Sequence, residues 1–246
     1  MAINENGYLR GQVGNLVSRK VGTKNIVQTK PGRKIRQTEW SKAAADDFGY
    51  ASASGALIRQ AFVSTHRQLH DDKMHNRLIK HIHRVMRATA RPVPGYSNIE
   101  KGNITRLIGF QFNANCHLQD YLYLDPVVSL NSKKQVCVHF PDFYPKEHLH
   151  FPKDASHVAI RAEVFSFRFR GRTYFTLGTE EIEIDLHHGQ RLINEQTFIF
   201  NAPTEPYDTL LVGLTVLYLD GNGPRSFLYN SKELHPAAII GGFNAD

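Results

Sequence analysis

The feature that most constrains the fold is an alternation of apolar and polar residues with the two-residue period of a β-strand. Residues 136–140, 158–164 and 182–186 follow this alternation. The segment 210–219 is almost entirely apolar, so we expect both of its faces to be buried. At least seven such strands come at hairpin spacing, with no helical pattern between them. The pattern predicts an antiparallel β-sandwich over residues 93–246.

The alternation changes phase once, inside the longest of these strands. Apolar residues occupy even-numbered positions from Val158 to Val164 and odd-numbered positions from Phe165 to Phe169. Successive side chains of a strand point to opposite faces, so the apolar face changes sides at this point. Such a change predicts a β-bulge, or a strand that passes from one sheet to another.

Residues 41–92 carry helical periodicity instead. The first predicted helix is rich in alanine and capped by Ser41, with a break near Gly55 because glycine weakens a helix by about 1 kcal/mol. The second begins at Asp71 and ends before Pro92. It has two stripes, one apolar and one basic. The apolar stripe contains Met74, Leu78, Ile79, Ile82, Val85 and Met86, and the basic stripe contains Lys73, Arg77, Lys80, Arg84, Arg87 and Arg91.

Residues 1–40 are typical of a basic, glycine-rich arm rather than a domain. Segments 16–20 and 25–29 are predicted to pair as a hairpin. A lone two-stranded ribbon is marginal in water, so we expect the arm to lie on another surface. The apolar residues expected to make this contact are Tyr8, Leu9, Val13, Leu16, Val17, Ile26 and Val27. The chain as a whole is predicted to be α+β and mainly β, with an extended arm or β-hairpin, two helices and a sandwich.

Charge is divided unevenly between the two parts of the chain. The formal net charge is +7. Residues 1–92 hold 17 basic and 6 acidic side chains, whereas residues 93–246 hold 13 and 17. The first part is therefore strongly basic and the second is mildly acidic.

Three interpretations of the basic residues remain open: contact with nucleic-acid phosphates, docking on an acidic surface of a neighbouring copy, and a plain solvated surface. We favour docking, with strand residues Glu181, Glu183 and Asp185 as the acidic acceptor. The candidate basic surface contains Arg19, Lys20, Lys24, Arg33, Lys34, Arg36, Arg77, Lys80, Arg84 and Arg87.

Signatures of common enzyme classes are missing from the sequence, including G-x-S-x-G, the P-loop and G-x-G-x-x-G. Thirteen histidines raise the hypothesis of a metal site, which needs three or more convergent ligands. The close histidine pairs are His66 and His70, His81 and His83, and His148 and His150 on one predicted strand face. These pairs fall in different segments, so we expect no metal, no cofactor and no enzymatic activity.

Three weaker features of the sequence indicate in which compartment the protein is expected. No apolar run approaches the ~20 residues that span a bilayer, so we expect no membrane insertion. The first residues lack the apolar stretch of a secretory signal, and we expect a cytoplasmic protein or export by a route without a signal. With only Cys116 and Cys137, no disulfide framework is expected, and Cys137 is expected in the core.

Four segments form a further pattern: G-Q-V-G-N-L-V at 11–17, a basic segment at 22–31 that ends in proline, an alanine-rich segment at 41–62 and G-F-Q-F-N at 109–113. This pattern resembles a family of uncharacterised Bacteroidota proteins. This chain has Gln28-Thr29 where the family usually has an arginine, and its second helix is rich in histidine. The resemblance implies a bacterial origin and no catalytic residue.

The leading hypothesis is a non-enzymatic structural or assembly subunit. It would form homo-oligomers through the arm, by arm exchange or strand donation, and donation that does not close would give a filament. The alternative is a nucleic-acid-associated protein that binds the phosphate backbone through the arm and the 71–91 helix. A histidine-ligated metal enzyme is a third hypothesis.

Overall fold

The computed structural model describes residues 2–30, 37–88, 95, 97–188, 191–203, 205, 208–220 and 227–244. Over these residues the chain is α+β and mainly β with antiparallel sheets, which confirms the predicted fold class. It divides into two compact units, Met1–Lys42 and Ala43–Asp246. No helix among the described residues is both long enough and apolar enough to cross a bilayer.

The first unit contains a four-stranded antiparallel sheet, the N-terminal sheet, in which each strand pairs with the next. Its strands are β1 (Ala2–Glu5), β2 (Tyr8–Val13), β3 (Leu16–Val21) and β4 (Lys24–Thr29). Two-residue turns join them, and Gly7, Gly14 and Gly22 adopt the left-handed backbone that such turns require. The predicted hairpin is confirmed as β3–β4, and β1 and β2 extend it.

Three helices follow: α1 (Glu39–Ala61), α2 (Val63–His66) and α3 (Met74–Met86). The predicted break near Gly55 is wrong, because α1 continues through this residue. A Cβ atom at Gly55 would lie 3.4 Å from Ile82 Cδ1 of α3, so glycine allows the two helices to approach closely. The start of α1 also differs, since Thr38 Oγ1 accepts a hydrogen bond from the Ser41 backbone N–H at 3.2 Å. Thr38 therefore takes the capping role predicted for Ser41.

The apolar stripe predicted for the second helix is confirmed in α3. All six of its residues are buried, in a cluster shared with α1. The helix ends at Met86, earlier than predicted. Residues 89–94, where the prediction placed its end, lie outside the described residues.

Strands of the second unit form two sheets. The chain order is β5 (Val127–Leu130), β6 (Gln135–Phe140), the short helix α4 (Pro145–His148), β7 (His157–Arg168), β8 (Thr173–Asp185), β9 (Gln196–Asn201), β10 (Thr209–Asp220), β11 (Phe227–Leu228) and β12 (Ala237–Asn244). The larger sheet has the order β11-β10-β7-β8, with β12 also paired to β10, and the smaller has the order β5-β6-β9. The two sheets pack in a sandwich-like arrangement, as predicted.

β7 and β10 lie at the centre of this unit, between the helices and the smaller sheet. Val158 and Val212 belong to the cluster on the side of the smaller sheet, whereas Phe165 and Leu211 belong to the cluster on the side of the helices. The predicted bulge is confirmed, because the β7–β8 register shifts between Val164 and Phe165. The apolar face changes there because the helices pack on the Phe165 end of β7.

The contact between Phe62 and Gly213 of β10 gives a stability prediction. A Cβ atom at Gly213 would lie 2.5 Å from Phe62 Cε1, inside a buried cluster. We expect Gly213→Ala to lower the free energy of unfolding by about 1–3 kcal/mol, because the ring must move. In the matched control Gly49→Ala, no atom lies within 4 Å of the new Cβ, and we expect a gain of up to about 1 kcal/mol in α1. Urea unfolding measures both, and equal effects of the two substitutions would contradict this account of the packing.

Candidate functional site

The N-terminal sheet exposes large apolar side chains on every strand. Val13 is 62% exposed and Val27 is 52% exposed. Isolated apolar residues are common on protein surfaces, but this group is concentrated in one small sheet. The exposed residues are Ile3, Leu9, Val13, Leu16, Val21 and Val27, and the half-buried ones are Tyr8, Val17 and Ile26. The predicted contact residues of the arm all belong to this set, which also includes Ile3 and Val21.

The strand register distributes these side chains over both faces of the sheet. Val13 pairs with Leu16, and Ser18 pairs with Val27, so Val13, Leu16 and Val27 point to one face. Val17, Val21 and Ile26 point to the other, since Arg19 pairs with Ile26. Burial of one face alone would therefore leave apolar side chains exposed on the other.

Basic side chains surround the apolar residues of the N-terminal sheet. Lys20 Nζ lies 4.2 Å from the centre of the Tyr8 ring, a distance typical of a cation–π contact. Arg19 Nη2 donates to Gln28 Oε1 at 3.5 Å. Lys24 is exposed at the start of β4. The remaining predicted basic residues of the arm, Arg33, Lys34 and Arg36, lie outside the described residues.

The predicted acidic acceptor lies on β8, the strand at which the larger sheet ends. β8 contains four acidic residues and no basic residue. Glu181 accepts a bond from Arg161 Nε at 2.8 Å, and Asp185 Oδ1 accepts from the His187 backbone N–H at 2.9 Å. Glu183 is exposed on the same face. Two of the three predicted acceptors thus already make hydrogen bonds within the unit.

Helix α3 presents only part of its predicted basic surface. Arg77 Nη1 donates to the Gln111 carbonyl at 2.8 Å, and its guanidinium also pairs with Asp71. These contacts hold α3 against the segment that follows it, so Arg77 acts within the fold. The side chains of Lys80, Arg84 and Arg87 are exposed.

A groove lies beside this surface, with a cavity volume of about 400 Å³. Ile79 lines the groove, and the ring of Phe48 stacks on His83 with centroids 5.9 Å apart. Lys80 and Arg87 belong to the same lining. The groove therefore combines two cations with an exposed aromatic ring.

The histidine pairs do not converge on a metal site. His66 Nε2 lies 3.0 Å from the Arg59 carbonyl, to which it donates, because its Nδ1 accepts from the Gln68 backbone N–H. His148 ends helix α4, so the strand face predicted for His148 and His150 is wrong. Within the part of the chain that is described, no group of three or more His, Cys, Asp or Glu residues could hold a metal ion.

Neither cysteine forms a disulfide. Cys116 is buried, and burial raises the pKa of its thiol. Cys137 is half-buried on β6, where its Sγ lies 3.8 Å from Asn131 Nδ2, rather than fully in the core as predicted. Burial and a raised pKa leave Cys116 mainly as an unreactive thiol.

Comparisons with protein families, with curated proteins and with solved structures found no match. The function is therefore inferred from the surfaces and side chains of this chain.

One polar cluster was missed in the sequence because its members lie far apart along the chain. His235 is fully buried, and its Nε2 donates to the Thr65 carbonyl at 2.8 Å while its Nδ1 accepts from Asn230 Nδ2 at 2.9 Å. The Thr65 hydroxyl donates to the buried carboxylate of Glu163. Burial lowers the pKa of His235 to about 4, so the ring is neutral in the folded chain. Asn230 Nδ2 also donates to the Val216 carbonyl of β10 at 3.0 Å, so the cluster joins α2 to both central strands.

The lowered pKa of His235 predicts a loss of stability in acid. Below its ordinary pKa of 6.5 the ring is protonated in the unfolded chain, but in the folded chain it stays neutral until about pH 4. The free energy of unfolding should therefore fall by about 2 kcal/mol between about pH 7 and about pH 5 from this group alone. Urea unfolding at the two pH values should show a smaller fall in His235→Gln than in the unsubstituted chain, and an equal fall in both would contradict the prediction.

Proposed function

We propose that this protein is a non-enzymatic assembly subunit that associates with copies of itself through the N-terminal sheet. The observation that carries the proposal is the exposure of apolar side chains on both faces of a single-layer sheet. Apolar surface of this kind is stabilised when it is removed from water, by about 25 cal/mol per Å². Another copy of the chain is present wherever this protein is, and it can cover these apolar side chains.

Charge favours a particular partner surface on that copy. The N-terminal sheet carries Arg19, Lys20 and Lys24, so two such sheets would repel each other. β8 carries four acidic residues and ends its sheet, so its outer edge is a place where a further strand can pair. We therefore infer that the basic sheet of one copy docks at the acidic β8 edge of the next.

This arrangement joins two different surfaces, one from each copy. Such a head-to-tail interface leaves one free surface at each end, so it repeats until it closes into a ring or continues as a filament. The contact combines apolar burial, which gives affinity, with charge pairing, which orients the copies.

Substitutions on one face of the N-terminal sheet test this proposal. In full-length protein, we expect Val13→Lys combined with Val27→Lys to shift the sedimentation of the assembled species to that of the monomer. Both side chains are exposed, so the change removes apolar surface without opening a core. The matched control is Val127→Lys on β5, where an equally exposed valine, at 60%, should tolerate lysine without loss of assembly.

A charge reversal tests the inferred acceptor in the same assay. Glu183→Lys should weaken assembly, and added salt should weaken it in the unsubstituted protein. A protein that sediments as a monomer at all concentrations would refute self-association. A double variant that assembles as the unsubstituted protein does would refute the N-terminal sheet as the contact. Loss of assembly in the double variant but not in Glu183→Lys would support the N-terminal sheet as the contact and exclude β8 as its acceptor.

The second candidate function is association with nucleic acid. It is favoured by the exposed side chains of Lys80, Arg84 and Arg87 on α3, beside the exposed ring of Phe48. Lysine and arginine neutralise phosphates without reading the base sequence, and aromatic rings stack on unpaired bases.

This candidate predicts binding to duplex DNA of random sequence that weakens steeply between about 50 and about 200 mM salt. Replacing Lys80 and Arg87 by alanine should reduce the slope of log affinity against log salt by about 2, since two phosphate contacts are lost. Fluorescence anisotropy measures both quantities. A flat response to salt, or an unchanged slope in the double variant, would remove α3 as a phosphate-binding surface.

A further inference from the structure

A second cavity, separate from the surfaces above, lies beside α2. Its volume is about 470 Å³, and its polar lining comes from Arg59, Gln60, His66, Gln68 and His70. The lining contains no acidic side chain. The polar part of the lining therefore consists of one permanent cation, two amides and two imidazoles.

Arg59 projects from α1 into this lining without an anionic partner. Its Nε atom is buried and has no hydrogen-bond partner. No ion pair joins its guanidinium to a carboxylate among the described residues. Arg77 Nε is unpartnered in the same way although its guanidinium pairs with Asp71, so the distinguishing feature of Arg59 is the absence of a carboxylate partner among the described residues.

A neighbouring histidine also has a buried nitrogen without a hydrogen-bond partner. His75 Nδ1, on α3, is also buried without a partner. Burial and the positive charge of Arg59 both lower the pKa of His75. The lining around Arg59 contains two imidazoles and no carboxylate.

The two histidines of the lining differ in which of their ring nitrogens already make hydrogen bonds. Both ring nitrogens of His66 are occupied, by the Arg59 carbonyl and the Gln68 backbone N–H, so His66 fixes the shape of the wall. His70 Nδ1 lies 3.1 Å from the Asp71 carbonyl and donates to it, which leaves Nε2 directed elsewhere. The rings of His66 and His70 stand edge to face with centroids 5.2 Å apart, so each restrains the other.

We propose that this cavity binds a phosphoryl group, either as free phosphate or as part of a larger phosphorylated molecule. A tetrahedral oxyanion offers several acceptors to the planar fork of an arginine, which binds such groups with two parallel hydrogen bonds. Gln60 and Gln68 supply amide donors at the rim. The inference concerns Arg59 and its neighbours and does not rest on self-association.

Titration calorimetry on the full-length protein tests the proposal, with inorganic phosphate and phosphoserine as probes at constant ionic strength. Both probes should bind at a single saturable site. Arg59→Gln should weaken binding at least tenfold, because the guanidinium supplies two of the hydrogen bonds. The matched control is Arg106→Gln, at an exposed arginine outside the cavity, which should leave the affinity unchanged.

A tighter interaction with phosphoserine would identify a phosphorylated molecule as the ligand, and equal affinities would identify free phosphate. Circular dichroism establishes that each variant is folded. If Arg59→Gln is not folded, Gln68→Ala takes its place and should weaken binding severalfold. The proposal is overturned if neither probe saturates a site, if Arg59→Gln or its replacement binds as the unsubstituted protein does, or if Arg106→Gln loses binding equally.

Discussion

Burial of β7 and β10 on both faces is the constraint on which the second unit depends. These central strands present valine, isoleucine and leucine to the smaller sheet and present phenylalanine and leucine to the helices. The ring of Phe62 lies 4.6 Å from that of Phe165, measured between centroids, and packs over Gly213. One aromatic side chain thus joins the helical layer to both central strands. The buried polar cluster of Thr65, Glu163 and His235 crosses the same interface and positions α2 there.

The N-terminal sheet differs from the second unit because many of its apolar side chains are exposed. Backbone pairing, short turns and a cation–π contact connect its strands, whereas most of its large apolar side chains are exposed. The contrast between one unit with a buried core and another with exposed apolar faces is the reason that we place the proposed interaction surface on the N-terminal sheet. In that proposal the basic charge of the sheet favours an acidic partner surface over an identical sheet.

Strands and helices with strong internal periodicity could be predicted from the sequence. The apolar stripe of α3 and the bulge after Val164 are examples, because each is set by residues that are close together in the chain. The continuity of α1 through Gly55 could not be predicted, since it depends on contact with Ile82 of another helix. The contacts of Arg77 and the cavity around Arg59 were missed for the same reason. Arg77 bonds to a carbonyl that lies 34 residues away, and the cavity around Arg59 forms only when two helices and their connection meet.

The pairing pattern of the N-terminal sheet also has a consequence for the order of folding. Each of its strands pairs only with the strand next to it in the chain, so all its pairings are local. Sheets with local pairings form faster than those whose strands are distant, and chains fold from the N-terminus as they leave the ribosome. β7 cannot pair with β10 until β10 has been synthesised, and β10 begins about 40 residues after the end of β7. We therefore expect the N-terminal sheet to form during synthesis, with its apolar faces accessible, before the core of the second unit exists.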